Sequence, residues 1–143
     1  MRQRVDYLIR ELKKQEAEII IPAPVFTEIL VNAGDAKNQY IKYLQATPFV
    51  VSSFGARAAI ICAERIHRFG PCKGKITGQT RAKAKFDRQI MAIAEVSKVT
   101  EVYSDDLDIY KLGKQIGITV VRSHELEMDP TDLQMPMKLE IPE

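Results

Sequence analysis

The chain has 143 residues, 45% of them apolar and 28% charged. This is an ordinary globular balance that argues against disorder and leaves enough length for one domain with a real core. A formal charge of +2 is too small by itself to imply a nucleic-acid partner, and without Trp there is no Trp stacking platform. The charge is unevenly placed, however. Arg65, Arg68, Lys73, Lys75, Arg81, Lys83, Lys85 and Arg88 face a single acid, Asp87, in the middle of the chain, whereas six acids and two bases follow from Arg122 to the end. A basic middle and an acidic tail describe either a polarised surface or simply a solvated loop and a solvated tail.

In chain order, Val5, Leu8, Ile9 and Leu12 follow helical spacing and predict an amphipathic helix to about Gln15. Glu18–Ile21 is a β-branched run stopped by Pro22, the signature of a short buried strand. Pro24 suits the first turn of a helix that continues from Val25 to Ala33, with Gly34 as its cap. A further helix is expected over Asp35–Ala46 and a strand over Pro48–Val51. Gly55–Phe69 predicts a helix with Ala58, Ile61, Cys62, Arg65 and Ile66 along one side, and Pro71–Arg81 a loop. Ala82–Ser97 predicts a helix, Val99–Tyr103 a strand, Asp105–Gln115 a helix ended by Gly117, and Ile118–Val121 a last strand. The remainder reads as an extended tail.

Cys62 and Cys72 form no CxxC pair, and His67 and His124 complete no zinc pattern. Cys62 is expected in the core and Cys72 as a free thiol in a loop. The charged N-terminus lacks the apolar segment of a signal peptide, and no run approaches the length of a membrane span. A reducing, cytoplasmic setting is the default expectation.

Strands alternating with helices predict a mainly parallel sheet covered on both faces, with ligands beyond the carboxyl ends of the strands. Acids recur there: Glu28 one turn after the first strand, Asp105 and Asp106 directly after the third, and Asp87 reaching in from its own helix. Singly, each has a structural explanation. Asp105 could cap the following helix, and Lys83, four residues before Asp87, could pair with it on the surface. Together they predict a carboxylate cluster for a hard cation. The absence of a Gly-rich phosphate loop counts against nucleotide binding.

The order PAPVFTEIL, then KAKFDRQIMAIAE, then YSDDLDIYKLGKQIGITVV, resembles the PIN domain over about residues 1–121. Residues 122–143 would be an acidic tail outside it. The resemblance implies a three-layer α/β/α fold around a mostly parallel sheet, and an endoribonuclease of the kind found as toxins of toxin–antitoxin pairs. It implies three or four acids binding magnesium or manganese. Glu28, Asp87 and Asp106 match them, with Asp105 the close alternative and Asp108 a second, less essential acid. Ser104 and Thr27 would be supporting residues. The implied partners are RNA, an antitoxin protein and a second copy of the chain, with no membrane. Lys73, Lys75, Arg81, Lys83, Lys85 and Arg88 would track the RNA backbone through phosphate contacts. A catalytically impaired PIN-like module that binds RNA or a partner is the alternative.

The chain departs from this family at its start. PIN domains begin with a central apolar strand ending in Asp, and this sequence begins within the helix that follows; Asp6 lies on that helix and does not substitute. An upstream start, a patch by Met137–Ile141, or a second chain would each supply the strand.

Overall fold

The computed structural model describes residues 1–70 and 81–132. The elements run α1 (Arg2–Lys14), β1 (Ile19–Pro22), α2 (Ala23–Ala33), a 3-10 turn (Gly34–Ala36), α3 (Lys37–Gln45), β2 (Phe49–Ser52) and α4 (Ala56–Phe69). After these come α5 (Arg81–Val96), β3 (Glu101–Tyr103), α6 (Leu107–Ile116), β4 (Thr119–Val121) and a last 3-10 turn, Ser123–Glu125. Among the described residues the helical periodicities and β-branched runs thus locate every α-helix and strand, with ends displaced by a few residues: Asp35 lies in the 3-10 turn rather than on α3, Val99 precedes β3 and Asp105 precedes α6. The 3-10 turn Ser123–Glu125 lies in the segment expected to be an extended tail.

The chain is a mixed α/β protein, and its strand pairs are parallel as expected. β1 pairs with β2 with Ile20 opposite Val50, and β3 pairs with β4 with Val102 opposite Val120. Each pair is joined through helices, as a parallel connection requires. The described residues do not join these pairs into one central sheet: they form two separate two-stranded sheets. β1 and β3 therefore each keep one edge without a strand neighbour among the described residues.

Helix α5 is the pillar of the fold. On one side Ala92 and Ile93 pack with Ala58 and Cys62 of α4. On the other, Met91 packs with Ile109 and Leu112 of α6 and Val120 of β4. Cys62 is buried, as expected, and burial pushes its thiol up. Cys72 and the expected loop around it lie outside the described residues. No residue from 1 to 57 is fully buried, and even Ile19–Ile21 of β1 are only partly covered.

Helix α6 ends at Gly117, whose φ of 75° is left-handed and suits glycine. Gly113, one turn earlier, is required for a different reason. A Cβ there would lie 2.5 Å from Val120 Cγ2 and 2.7 Å from the Ile118 carbonyl oxygen. Gly113→Ala is therefore expected to lower the unfolding free energy by about 1–3 kcal/mol, the usual range for overpacking, despite alanine's better helix propensity. Denaturant unfolding checks this.

The segment after β4 folds back along α1. Arg4 donates to the carbonyls of His124 (2.7 Å) and Leu126 (3.1 Å), and Arg10 pairs with Asp129.

Candidate metal centre

The first turns of α5 and α6 converge on one point. Lys83 and Asp87 lie one turn apart on α5, and Asp87 is buried, with 5% of its surface exposed. Asp106 is the N-cap of α6. Its Oδ1 accepts from the backbone N–H of Asp108 (2.8 Å) and of Ile109 (3.4 Å), which fixes the carboxylate and leaves Oδ2 facing α5. Ser104 supports this turn, its Oγ accepting from the Asp106 N–H at 3.2 Å. Asp108, two residues into the helix, turns its side chain the same way. Carboxylate oxygens of Asp87, Asp106 and Asp108 lie within 4.8 Å of one another.

Lys83 closes the group. Its Nζ donates to Asp106 Oδ2 (2.8 Å), Asp87 Oδ2 (3.0 Å) and Asp108 Oδ2 (3.3 Å). Burial alone would pull the lysine down, but hydrogen bonds to Asp106, Asp87 and Asp108 outweigh it and hold the ammonium well above its ordinary value. Burial likewise acts to raise Asp106, and the Lys83 ammonium and the helix N–H groups overcome it, leaving the carboxyl below its usual range. The field of the three carboxylates favours a cation, and the all-oxygen donor set suits a hard one. Lys83 is long and its side chain 43% exposed, so it can leave that seat without opening the core.

Titration should show this pair. Asp106 is depressed in the folded state, so its contribution is complete above the ordinary 3.8 and lost as pH falls through its lower folded value. Lys83 is raised, so its contribution is complete below 10.5 and lost as pH climbs beyond that towards its folded value. Metal-free protein is expected to show a thermal midpoint that falls at both extremes. Asp106→Asn should shrink both limbs, measured as midpoint against pH.

The other expected site residues divide. Asp105 does not join the cluster. It precedes the cap, points the other way, and its Oδ1 accepts from the Ser123 N–H at 2.8 Å, an interaction that lowers its carboxyl. Asp108 takes the place that Asp105 was expected to share. Glu28 is exposed on α2 and lines the same cavity as Lys83, Asp87 and Asp106, outside the carboxylate trio. The Thr27 hydroxyl donates to the Ala23 carbonyl at 3.1 Å, a local helix contact.

Of the expected RNA-binding residues, Arg81 and Lys85 are exposed at the start of α5. Arg88 is not on that surface: it is buried at 8% exposure and its guanidinium donates to the Gly70 carbonyl, because its position on α5 turns it toward the α4 end. Lys73 and Lys75 lie outside the described residues. The i, i+4 spacing anticipated the Lys83–Asp87 pair, but the lysine's reach to Asp106 and Asp108 depends on the packing of α5 against α6 and had no local signal.

Compared with known proteins, the chain finds no match: no family model, no curated protein and no solved structure matches it.

Proposed function

We propose that the chain is a PIN-type endoribonuclease that hydrolyses RNA phosphodiester bonds with magnesium or manganese. The observation that carries this reading is the convergence of Asp87, Asp106 and Asp108 beside the exposed basic residues of α5. A bound divalent ion would supply an activated water and neutralise charge on the phosphate. Asp87, Asp106 and Asp108 would hold the ion, with Glu28 reaching the same cavity from α2 and Ser104 fixing the turn that aims Asp106. Arg81 and Lys85 would hold the RNA backbone without reading its sequence. The two parallel strand pairs and their covering helices are compatible with halves of the three-layer PIN arrangement. An antitoxin partner, a homodimer and a cytoplasmic setting belong to the same proposal. Among the described residues no helix is long and apolar enough to cross a membrane.

Metal-dependent cleavage of RNA by the purified chain, abolished by chelation and restored by magnesium, is the expected result. Cleavage indifferent to chelation overturns the reading. A second reading, a PIN-like module that binds RNA or a partner without cleaving, is favoured by one feature: the Lys83 ammonium already sits on the carboxylate oxygens that a metal would need. RNA binding with no saturable magnesium binding would select it.

A further inference from the structure

The free edges of β1 and β3 are turned toward one cavity. Its volume is about 1040 Å³, and the whole of both strands lines it. Ile90, Ile93 and Ala94 of α5 form an apolar wall, with Val25 and Ile29 of α2 on another side. Backbone N–H and C=O groups on such edges need partners, and a space walled by apolar side chains is a poor place to leave them to water. The absence of any fully buried residue before Ala58 is the same fact seen from the side chains: the isoleucines of β1 have half a cover. The space asks for a strand.

The path of the chain says which one. Arg4 near the start of α1 holds residues 124 and 126, and Arg10 farther along holds Asp129. The segment after β4 therefore travels along α1 toward the end that leads into β1, and Leu12, close to that end, lines the cavity. Eleven residues follow Asp132, enough for roughly 36 Å of extended chain. Leu133, Met135, Met137, Leu139 and Ile141 alternate with Gln134, Pro136, Lys138, Glu140 and Pro142. That is the period of a strand with one apolar face, and the prolines bracket residues 137–141 without interrupting them. Glu18, Lys98 and Glu101 also line the cavity and offer charges of both signs to Lys138 and Glu140.

We infer that residues 137–141 are the strand that this cavity receives, inserted between β1 and β3 and parallel to both, so that the two small sheets become one. Entry at the amino ends of the strands fixes the direction. The inserted strand does not rest on the ribonuclease reading.

Hydrogen exchange on the full chain, free of metal, tests the insertion apart from any activity. The amides of β1 and β3 are expected to be protected, and Leu139→Asp with Ile141→Asp should speed their exchange about tenfold or more. Amides of α5 and α6 report in the same experiment whether the double variant has kept its fold. If it has not, the milder Leu139→Thr in the full chain should speed exchange of the same amides while those of α5 and α6 stay protected. Unprotected edges in the native chain, edges indifferent to substitution in a folded variant, or protection that rises with protein concentration as a second copy would produce, each overturns the inference.

Discussion

Asp87→Asn is expected to reduce magnesium-dependent RNA cleavage by about a hundredfold or more while leaving the chain folded. The loss of a group that merely orients a metal ligand typically costs roughly 10–100-fold in metal affinity or activity, so a direct ligand should cost at least the upper end. Asparagine has the shape of aspartate and keeps an oxygen for Lys83, which protects the packing of α5 around a position that is almost fully buried. Asp106→Asn should act similarly, because the same side chain caps α6 and faces the cluster with its other oxygen. Glu28→Gln should cost less, on the order of tenfold by the same comparison, since Glu28 lines the cavity without entering the trio. Asp105→Asn should leave the rate within about twofold, as for surface changes away from such features, because its carboxylate is occupied at Ser123. Initial rates on one RNA with saturating magnesium, alongside circular dichroism, give the comparison. Asp87→Asn and Asp106→Asn variants as active as the native chain would remove the ribonuclease assignment.

The second large effect concerns the lysine. Lys83→Met deletes a cation that touches three carboxylates and keeps most of the stem. Without metal, Asp87 is left buried beside two like charges, and the variant should lose about 1–3 kcal/mol of stability, a range discounted because the ammonium is partly exposed. Magnesium should then bind more tightly than it does to the native chain, since no tethered cation competes for the oxygens, and it should return the lost stability by mass action. Thermal midpoints with and without magnesium, together with titration calorimetry, separate this from a purely structural lock. If Lys83 only fastens α5 to α6, magnesium will change neither chain.

Much of the fold was legible along the chain because the signals are local. The spacing of Phe86, Ile90, Ile93 and Ala94 marks α5, Pro24 opens α2, and Gly117 closes α6. The split of the strands into two sheets was not legible, since short β-branched runs state that a strand exists and leave its neighbours open. The site divides in the same way. Asp87 and Asp106 could be marked as acids at helix starts, but choosing Asp108 over Asp105 requires the cap geometry. A residue after the N-cap turns back toward the helix start, whereas Asp105, before it, is drawn to Ser123. Arg88 was misplaced because a basic residue in a basic stretch carries no mark of burial; only the packing of α5 against its neighbours shows it.

The sharing of both apolar clusters by α5 has a consequence for how the molecule opens. Met91 on one side and Ile93 on the other tie α4, α6 and β4 to a single helix, so those elements should be lost together, near the free energy of complete unfolding. Residues 1–57 hold no buried side chain and meet that unit across the space between β1 and β3. Glu28 therefore stands on one side of that space and Asp87 and Asp106 on the other, and what fills it decides whether the two parts open separately or together.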